Sequence, residues 1–121
     1  MKFLALSALI LLSANDVIAQ QSIVGNWTSY KVIGRPCTDY IENLSYTFRT
    51  DNTYDIRSIM KRSSGLSDER ATGSYEIAGS TITGKVKNVT LGPFQYRFED
   101  DNLVISERSC DIYLRRSDEE W

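Results

Sequence analysis

Histidine is absent from the 121-residue chain, and this absence excludes several classes of function at once. Without imidazole there is no Ser-His-Asp or Cys-His arrangement to activate a nucleophile and no histidine ligand for zinc. An excess of positive charge is also missing, because the net charge is −2, so no nucleic-acid partner is expected. Hydrophobic residues (41%) and charged residues (25%) occur as in globular proteins. The composition predicts one folded domain that is not an enzyme.

Long hydrophobic runs are missing too, and the one apolar run that exists lies at the N-terminus. Residues 3–12 are mainly apolar, and residues 17–19 (Val-Ile-Ala) give the small-x-small pattern that signal peptidase recognises. Ten residues cannot cross a hydrocarbon core, which needs about 20. We therefore predict a signal peptide over 1–19, a mature domain over 20–121, no membrane span, and a secreted or periplasmic protein.

Cysteine is scarce, since Cys37 and Cys110 are the only two. An exported chain meets an oxidising compartment, where a pair without a third partner forms one disulfide. Without a Cys-x-x-Cys spacing or a histidine, a redox or metal-binding role is disfavoured. The predicted bridge closes a loop of about 74 residues, which corresponds to roughly 4 kcal/mol of stabilisation in the loop-entropy model.

Apolar and polar residues alternate in short segments that are separated by turn residues about every 8 to 12 positions. Leu44, Tyr46 and Phe48 show the pattern, which is typical of a half-buried strand. Eight such segments follow one another closely, which favours an up-and-down meander, and no segment has helical spacing. Eight strands with one apolar face each lose both edges by closing. The sequence predicts an all-β fold, a single up-and-down antiparallel eight-stranded β-barrel.

Residues 61–70 form the one long polar segment and predict a mobile loop at a mouth of the barrel. Leu66 is the only apolar residue in it. An exposed leucine among charges is a candidate contact for a protein partner, and Arg62 and Arg70 flank it. These three residues are the predicted interaction residues of the loop.

Gly25-Asn26-Trp27, at the start of the first strand segment, resembles the Gly-x-Trp motif that opens lipocalins and other calycins. Further similarity to small secreted lipocalin-like domains lies in Tyr46-Thr47-Phe48 and in residues 51–54, 73–77 and 102–105. This resemblance covers nearly the whole mature chain. It implies a barrel closed at one end by Trp27 beneath an arginine that follows the last strand, matched here by Arg115 or Arg116. Gly25, Trp27 and these arginines are therefore expected to be structural.

Binding of a small, largely apolar molecule is the function that the lipocalin-like resemblance implies. The candidate ligand contacts are Ser29, Lys31, Tyr46, Tyr54, Tyr75 and Tyr96. Lys31 shares a strand face with Ser29 and Trp27, so it either points into the barrel mouth or extends to solvent at the rim.

Two interpretations of the barrel interior stay open. The interior either holds a ligand cavity or is filled by its own predicted inward rings, which are Trp27, Tyr46, Phe48, Tyr54, Tyr75, Phe94, Tyr96 and Phe98. A filled barrel favours the alternative function, a secreted protein-binding or inhibitor module that acts through its loops.

Three segments fit the N-glycosylation pattern, at Asn26, Asn43 and Asn88. Asn43 and Asn88 lie at expected borders between loops and strands and are candidate glycosylation sites. The acidic residues fall in turns and in the tail, without the spacing of a calcium loop. No cofactor or metal is predicted.

Overall fold

A computed structural model describes residues 22–118, so the predicted signal peptide over 1–19 lies outside the described residues. The strands are β1 (Gly25–Ile33), β2 (Ile41–Phe48), β3 (Thr53–Arg62), β4 (Gly65–Ala78), β5 (Thr81–Val86), β6 (Val89–Glu99), β7 (Asn102–Glu107) and β8 (Cys110–Arg116). Each strand pairs antiparallel with the next, and β8 pairs with β1. The predicted up-and-down eight-stranded barrel is therefore confirmed. A single helical turn, α1 (Arg35–Thr38), connects β1 and β2 and was not predicted.

The core lies inside the barrel because strand side chains alternate between its inner and outer faces. Its largest fully buried side chain is that of Trp27. The eight rings that the sequence predicted to point inward all belong to this core, some fully buried and others packed against it half-buried.

The lower end of the barrel, where β1 begins and β8 ends, is closed by Trp27 and Arg116. The Trp27 indole Nε1 donates a hydrogen bond to the Ile23 carbonyl at 2.7 Å. The Arg116 guanidinium lies 4.3 Å from the centroid of the indole and donates to the carbonyls of Ser22 and Val24, each at 2.9 Å. Cation–π attraction and these hydrogen bonds hold the segment before β1 across the barrel end.

Gly25 suits this closed end because its φ of +133° is rarely adopted by other residues. A Cβ there would also lie 2.7 Å from an Arg116 guanidinium nitrogen, so the Arg116 side chain would have to shift. Arg115, the other candidate arginine, lies outside the barrel over the ring of Tyr30 at 5.6 Å. Arg116 is thus the arginine that covers Trp27.

The upper end, opposite to the Trp27 end, carries the predicted disulfide. Cys37 in α1 and Cys110 at the start of β8 are bonded, with their Cα atoms 6.1 Å apart. Gly34, which precedes α1, has a φ of +120°, and a Cβ there would lie 2.5 Å from the Ser109 carbonyl oxygen. The β1–β2 connection therefore lies directly against the turn between β7 and β8.

The prediction of a mobile loop over residues 61–70 is wrong, because β3 and β4 continue as one hairpin through this segment. Ten consecutive residue pairs join the two strands, from Thr53 opposite Ser74 to Arg62 opposite Gly65. Ion pairs between opposing strands support the hairpin, Arg57 with Asp68 and Arg62 with Glu69. Most of its side chains near the turn are exposed on both faces, so the apolar alternation that identifies a half-buried strand is absent.

The start of β6 contains an irregularity. The strand begins at Val89 and runs through Gly92-Pro93, a dipeptide that is typical of turns. The register against β5 shifts there, so Ile82 pairs with Phe94 while Gly84 pairs with Leu91. Gly92, with a φ of +98°, provides the backbone conformation of this bulge.

Candidate ligand site in the barrel interior

The barrel wall has gaps where neighbouring strands are unpaired. One lies between the upper halves of β1 and β2, which pair only over residues 25–28 and 45–48, and two lie near the hairpin formed by β5 and β6. β4 and β5 pair only over residues 74–78 of β4, and β6 and β7 pair only over residues 95–99 of β6. Inward-facing apolar side chains near these gaps are half-buried, namely those of Ile56, Met60, Val86, Leu91 and Phe94. Solvent therefore reaches apolar surface inside this part of the barrel.

An interior cavity of about 40 Å³ lies beside the β5–β6 hairpin. It is lined by Tyr46, Phe48, Tyr54, Ile56, Tyr75, Ile82, Gly84, Leu91, Phe94 and Ile105. This volume holds one to a few water molecules, whereas a cavity that admits benzene measures about 150 Å³. The barrel interior is thus filled mainly by its own side chains.

The filling is an aromatic cluster centred on Phe48. Its ring stacks on Tyr46 at 5.4 Å and on Tyr54 at 5.8 Å, and it meets the edge of Tyr75 at 5.1 Å. Such pairs add about 0.5–1.5 kcal/mol each beyond the burial of their area. The cluster forms a rigid floor for the cavity.

The four candidate tyrosines separate into two pairs by what their hydroxyls contact. The Tyr75 hydroxyl donates to the Arg49 carbonyl at 2.7 Å, and the Tyr96 hydroxyl donates to the Gly79 carbonyl at 3.3 Å. These hydroxyls fix turns at the lower end, and Tyr96 does not line the cavity. Tyr46 and Tyr54 do line it, so they are the candidates that remain available to a ligand.

Burial extends the pH range over which these phenols stay neutral to higher values. It raises the pKa of Tyr46 well above its usual range, and the neighbouring Tyr54 and Glu107 raise it further. Burial also raises the pKa values of Tyr54 and Tyr75. At neutral pH the Tyr46 and Tyr54 hydroxyls are hydrogen-bond donors rather than bases.

This burial predicts a loss of stability at alkaline pH. The unfolded chain releases phenol protons near pH 10, the ordinary tyrosine value, while the folded chain retains them. Stability from Tyr46 is therefore fully present below about pH 10 and is lost as the pH rises further. Urea unfolding between about pH 8 and 11 should show this decline, and Tyr46→Phe should make it shallower. The exposed Tyr40→Phe is the control, and equal slopes in the two variants would contradict the assignment.

Of the two placements considered for Lys31, the structure shows the one in solvent, and the one inside the barrel mouth is wrong. A bulge at Tyr30 breaks the alternation, because Ser29 pairs with Leu114 while Lys31 pairs with Tyr113. Lys31 is consequently exposed on the outer face, with its Nζ 4.5 Å from the centroid of the Tyr113 ring.

Ser29 does not line the cavity either. Its Oγ accepts a hydrogen bond from the Leu44 backbone N–H at 2.9 Å, which joins β1 to β2 beside the bulge. This hydroxyl has a structural contact in place of the predicted contact with a ligand.

The remaining predicted residues lie away from the cavity. Arg62, Leu66 and Arg70 are exposed on the β3–β4 hairpin. Asn88 is exposed in the turn between β5 and β6, whereas Asn43 is half-buried within β2. Glycosylation at either asparagine stays a prediction.

Leu91 lines the cavity but was not among the candidate ligand contacts, because it directly precedes Gly92-Pro93, a dipeptide typical of turns. Sequence reasoning also missed Gly84, where a Cβ would lie 2.6 Å from the Tyr54 hydroxyl oxygen. The alternation of Ile82, Gly84 and Val86 placed Gly84 on the inner face, but it gave no sign of this close approach.

Within residues 22–118, no three histidine, cysteine, aspartate or glutamate side chains are grouped so that they could hold a metal ion. The same part of the chain contains no helix of the length and apolar character needed to cross a membrane.

Comparison with known proteins identifies one family. The sequence model of a family described as a lipocalin-like domain matches residues 23–105. The matched segment includes Trp27 and every residue that lines the cavity, and it ends within β7. No curated protein and no solved structure gives a significant match.

Proposed function

Because the chain belongs to the lipocalin-like domain family, we propose that it is an exported, non-catalytic protein that binds one small, largely apolar molecule beside the β5–β6 hairpin. The observation that carries this proposal is the half-burial of inward-facing apolar side chains next to the two gaps near that hairpin. When a ligand covers concave apolar surface that water had reached, the free energy falls.

Entry of the ligand requires an outward movement of the β5–β6 hairpin, since the cavity of about 40 Å³ is smaller than a benzene site. β5 is paired with β4 over five of its six residues, so the movement falls on the first half of β6, whose residues 89–94 have no partner in β7. The bulge at Gly92-Pro93 lies in the moving part.

The chemistry of the lining favours a particular class of ligand. Most of the surface is aliphatic or aromatic, and the polar groups available are the neutral hydroxyls of Tyr46 and Tyr54. Since a neutral phenol donates a hydrogen bond, the ligand we expect is a small aromatic or aliphatic molecule with one carbonyl, ether or hydroxyl oxygen.

The binding proposal is tested by titration with the neutral fluorophore N-phenyl-1-naphthylamine, whose emission rises in an apolar site. We expect saturable binding that Leu91→Asp weakens at least about tenfold, because the variant introduces a carboxylate beside the ligand. Thr90→Asp is the matched control, since Thr90 is exposed and does not line the cavity. Equal affinities of the two variants would contradict the site.

Native mass spectrometry of protein purified from its own source tests carriage and export together. A bound mass that is lost on denaturation would identify the carried ligand. A chain that begins at Gln20 and lacks two hydrogens would match the predicted cleavage and the disulfide. A bare mass, combined with no uptake of the fluorophore, would overturn the binding proposal.

The filled interior favours a second candidate, a secreted module that binds or inhibits another protein through the β3–β4 hairpin. Leu66 is 66% exposed there, between Arg62 and Arg70. Under this alternative, Leu66→Ser would abolish binding of the partner without changing the thermal midpoint, and the fluorophore would not bind.

A further inference from the structure

β4 has an open edge in its first half. It pairs with β3 from Gly65 to Ser74, but with β5 only from Ser74 to Ala78. None of the strands in residues 22–118 pairs with the other edge of residues 65–73. An unpaired edge is a template on which another strand can add.

The backbone groups that face this edge can be identified from one hydrogen bond. The Tyr75 N–H donates to the Asn52 carbonyl at 2.9 Å, so Tyr75 directs its backbone groups toward the β3 side. Because this direction alternates along a strand, the even-numbered residues direct their N–H and carbonyl groups toward the open edge. These residues are Leu66, Asp68, Arg70 and Thr72, and all four are exposed.

Open edges are usually protected by proline, by a bulge or by charged side chains. Another open edge of the barrel, at residues 89–94 of β6, contains Pro93 and a register shift. Residues 65–73 contain no proline, and the β3–β4 ladder has no register shift. Of these protections, the β4 edge has the charged side chains alone.

We propose that the open edge of β4 pairs antiparallel with the same edge of a second copy of this chain, in a register centred on Glu69. In this register Asp68 lies opposite Arg70 of the second copy, and the arrangement occurs twice by symmetry. The neighbouring registers place Asp68 opposite Asp68 or Arg70 opposite Arg70, and like charges directly opposite one another are destabilising. The charge pattern of the edge is thus complementary to itself.

The rest of the edge is compatible with this register. Glu69 lies opposite its own copy in this register, and each carboxylate of the edge is also bound within its own chain. Arg62 binds Glu69 at 2.8 Å and the Ser67 hydroxyl donates to it at 3.1 Å, while Arg57 binds Asp68 at 2.7 Å. Leu66 lies opposite Thr72 of the second copy. Each even-numbered pair exchanges two backbone hydrogen bonds, which gives about eight across the junction.

The oligomeric state of the oxidised protein, measured by sedimentation equilibrium, tests the pairing. We expect the wild-type protein to be a dimer. Asp68→Arg should raise the dissociation constant of this dimer at least about tenfold. The double variant Asp68→Arg, Arg70→Asp should restore it, because the two charges are exchanged rather than removed. The double variant also controls for the fold of the hairpin. Position 70 lies opposite Arg57, so the aspartate introduced there replaces the carboxylate that Arg57 loses when Asp68 is changed. A monomeric wild-type protein, or a dimer that Asp68→Arg leaves unchanged, would overturn the proposal.

Cysteine cross-linking tests the register itself. Glu69→Cys places the two introduced thiols on the symmetry axis, in a non-hydrogen-bonded pair whose Cα atoms are about 4.5 Å apart, within disulfide reach. Leu66→Cys is the matched control, because its two copies would be roughly 20 Å apart in this register. We expect a covalent dimer from Glu69→Cys alone. Equal cross-linking of both variants would overturn the register.

Discussion

Replacing Trp27 with alanine is expected to lower the free energy of unfolding by about 3–5 kcal/mol, the range found when a fully buried large aromatic side chain is truncated. Trp27 is completely buried, and it is also the surface on which Arg116 lies. Alanine therefore leaves a cavity, removes the cation–π contact and leaves the Ile23 carbonyl without its indole donor. Urea unfolding followed by circular dichroism measures the loss.

Two milder variants separate these contributions. Trp27→Phe keeps a ring beneath Arg116 but removes the hydrogen bond to Ile23. It should therefore lower the free energy of unfolding by less than half as much as Trp27→Ala does. Arg116→Met keeps an apolar stem over the indole and removes the donors to Ser22 and Val24. A loss below about 1 kcal/mol for Trp27→Ala would show that the closed end does not depend on this residue.

The strand order could be predicted from the sequence because most strands have one face in the core and the other in water. In β2, for example, Leu44 and Phe48 belong to the core and Tyr46 packs against it, as the alternation predicts. Because the connections are short, each strand pairs with the next strand along the chain. Closure also follows, since a closed sheet removes both edges.

The wrong predictions fall where a bulge, or solvent on both faces of a strand, interrupts that alternation. One extra residue at Tyr30 moves Lys31 to the outer face, and no property of the residues beside it signals a bulge. The β3–β4 hairpin has water on both faces near its turn, so its strands carry polar residues at nearly every position. Propensity alone could not distinguish such a hairpin from a loop.

The candidate site was predictable in its residue types but not in its volume. Tyr46 and Tyr54 were expected on the inner face, and both line the cavity. The space left between them depends on how the rings around Phe48 stack, which no single-residue pattern encodes. Gaps in the wall likewise depend on where the pairing of β4 with β5 begins, a property of register rather than composition.

Removal of the disulfide is expected to cost about 4 kcal/mol, because Cys37 and Cys110 are separated by 73 residues and the unfolded chain regains the entropy of that loop. The double variant Cys37→Ala, Cys110→Ala tests this without leaving a free thiol. If the effect lies in the unfolded chain, the urea midpoint falls. The free energy of unfolding also decreases more steeply with urea concentration, because the unfolded chain without the disulfide exposes more surface. An unchanged midpoint would contradict the loop-entropy account.

The two ends of the barrel secure the same seam, the pairing of β1 with β8, which joins the first strand to the last. At the upper end the seam is secured covalently by Cys37–Cys110, and at the lower end by Arg116 on Trp27. Because these sites share no partner, the costs of removing them should add. Their combined loss is comparable with the whole stability of a typical domain, about 5–15 kcal/mol. The variant that lacks both the disulfide and Trp27 is therefore expected to lose about 7–9 kcal/mol of its free energy of unfolding. A combined loss that differs from the sum of the two separate losses by more than about 0.5 kcal/mol would refute additivity.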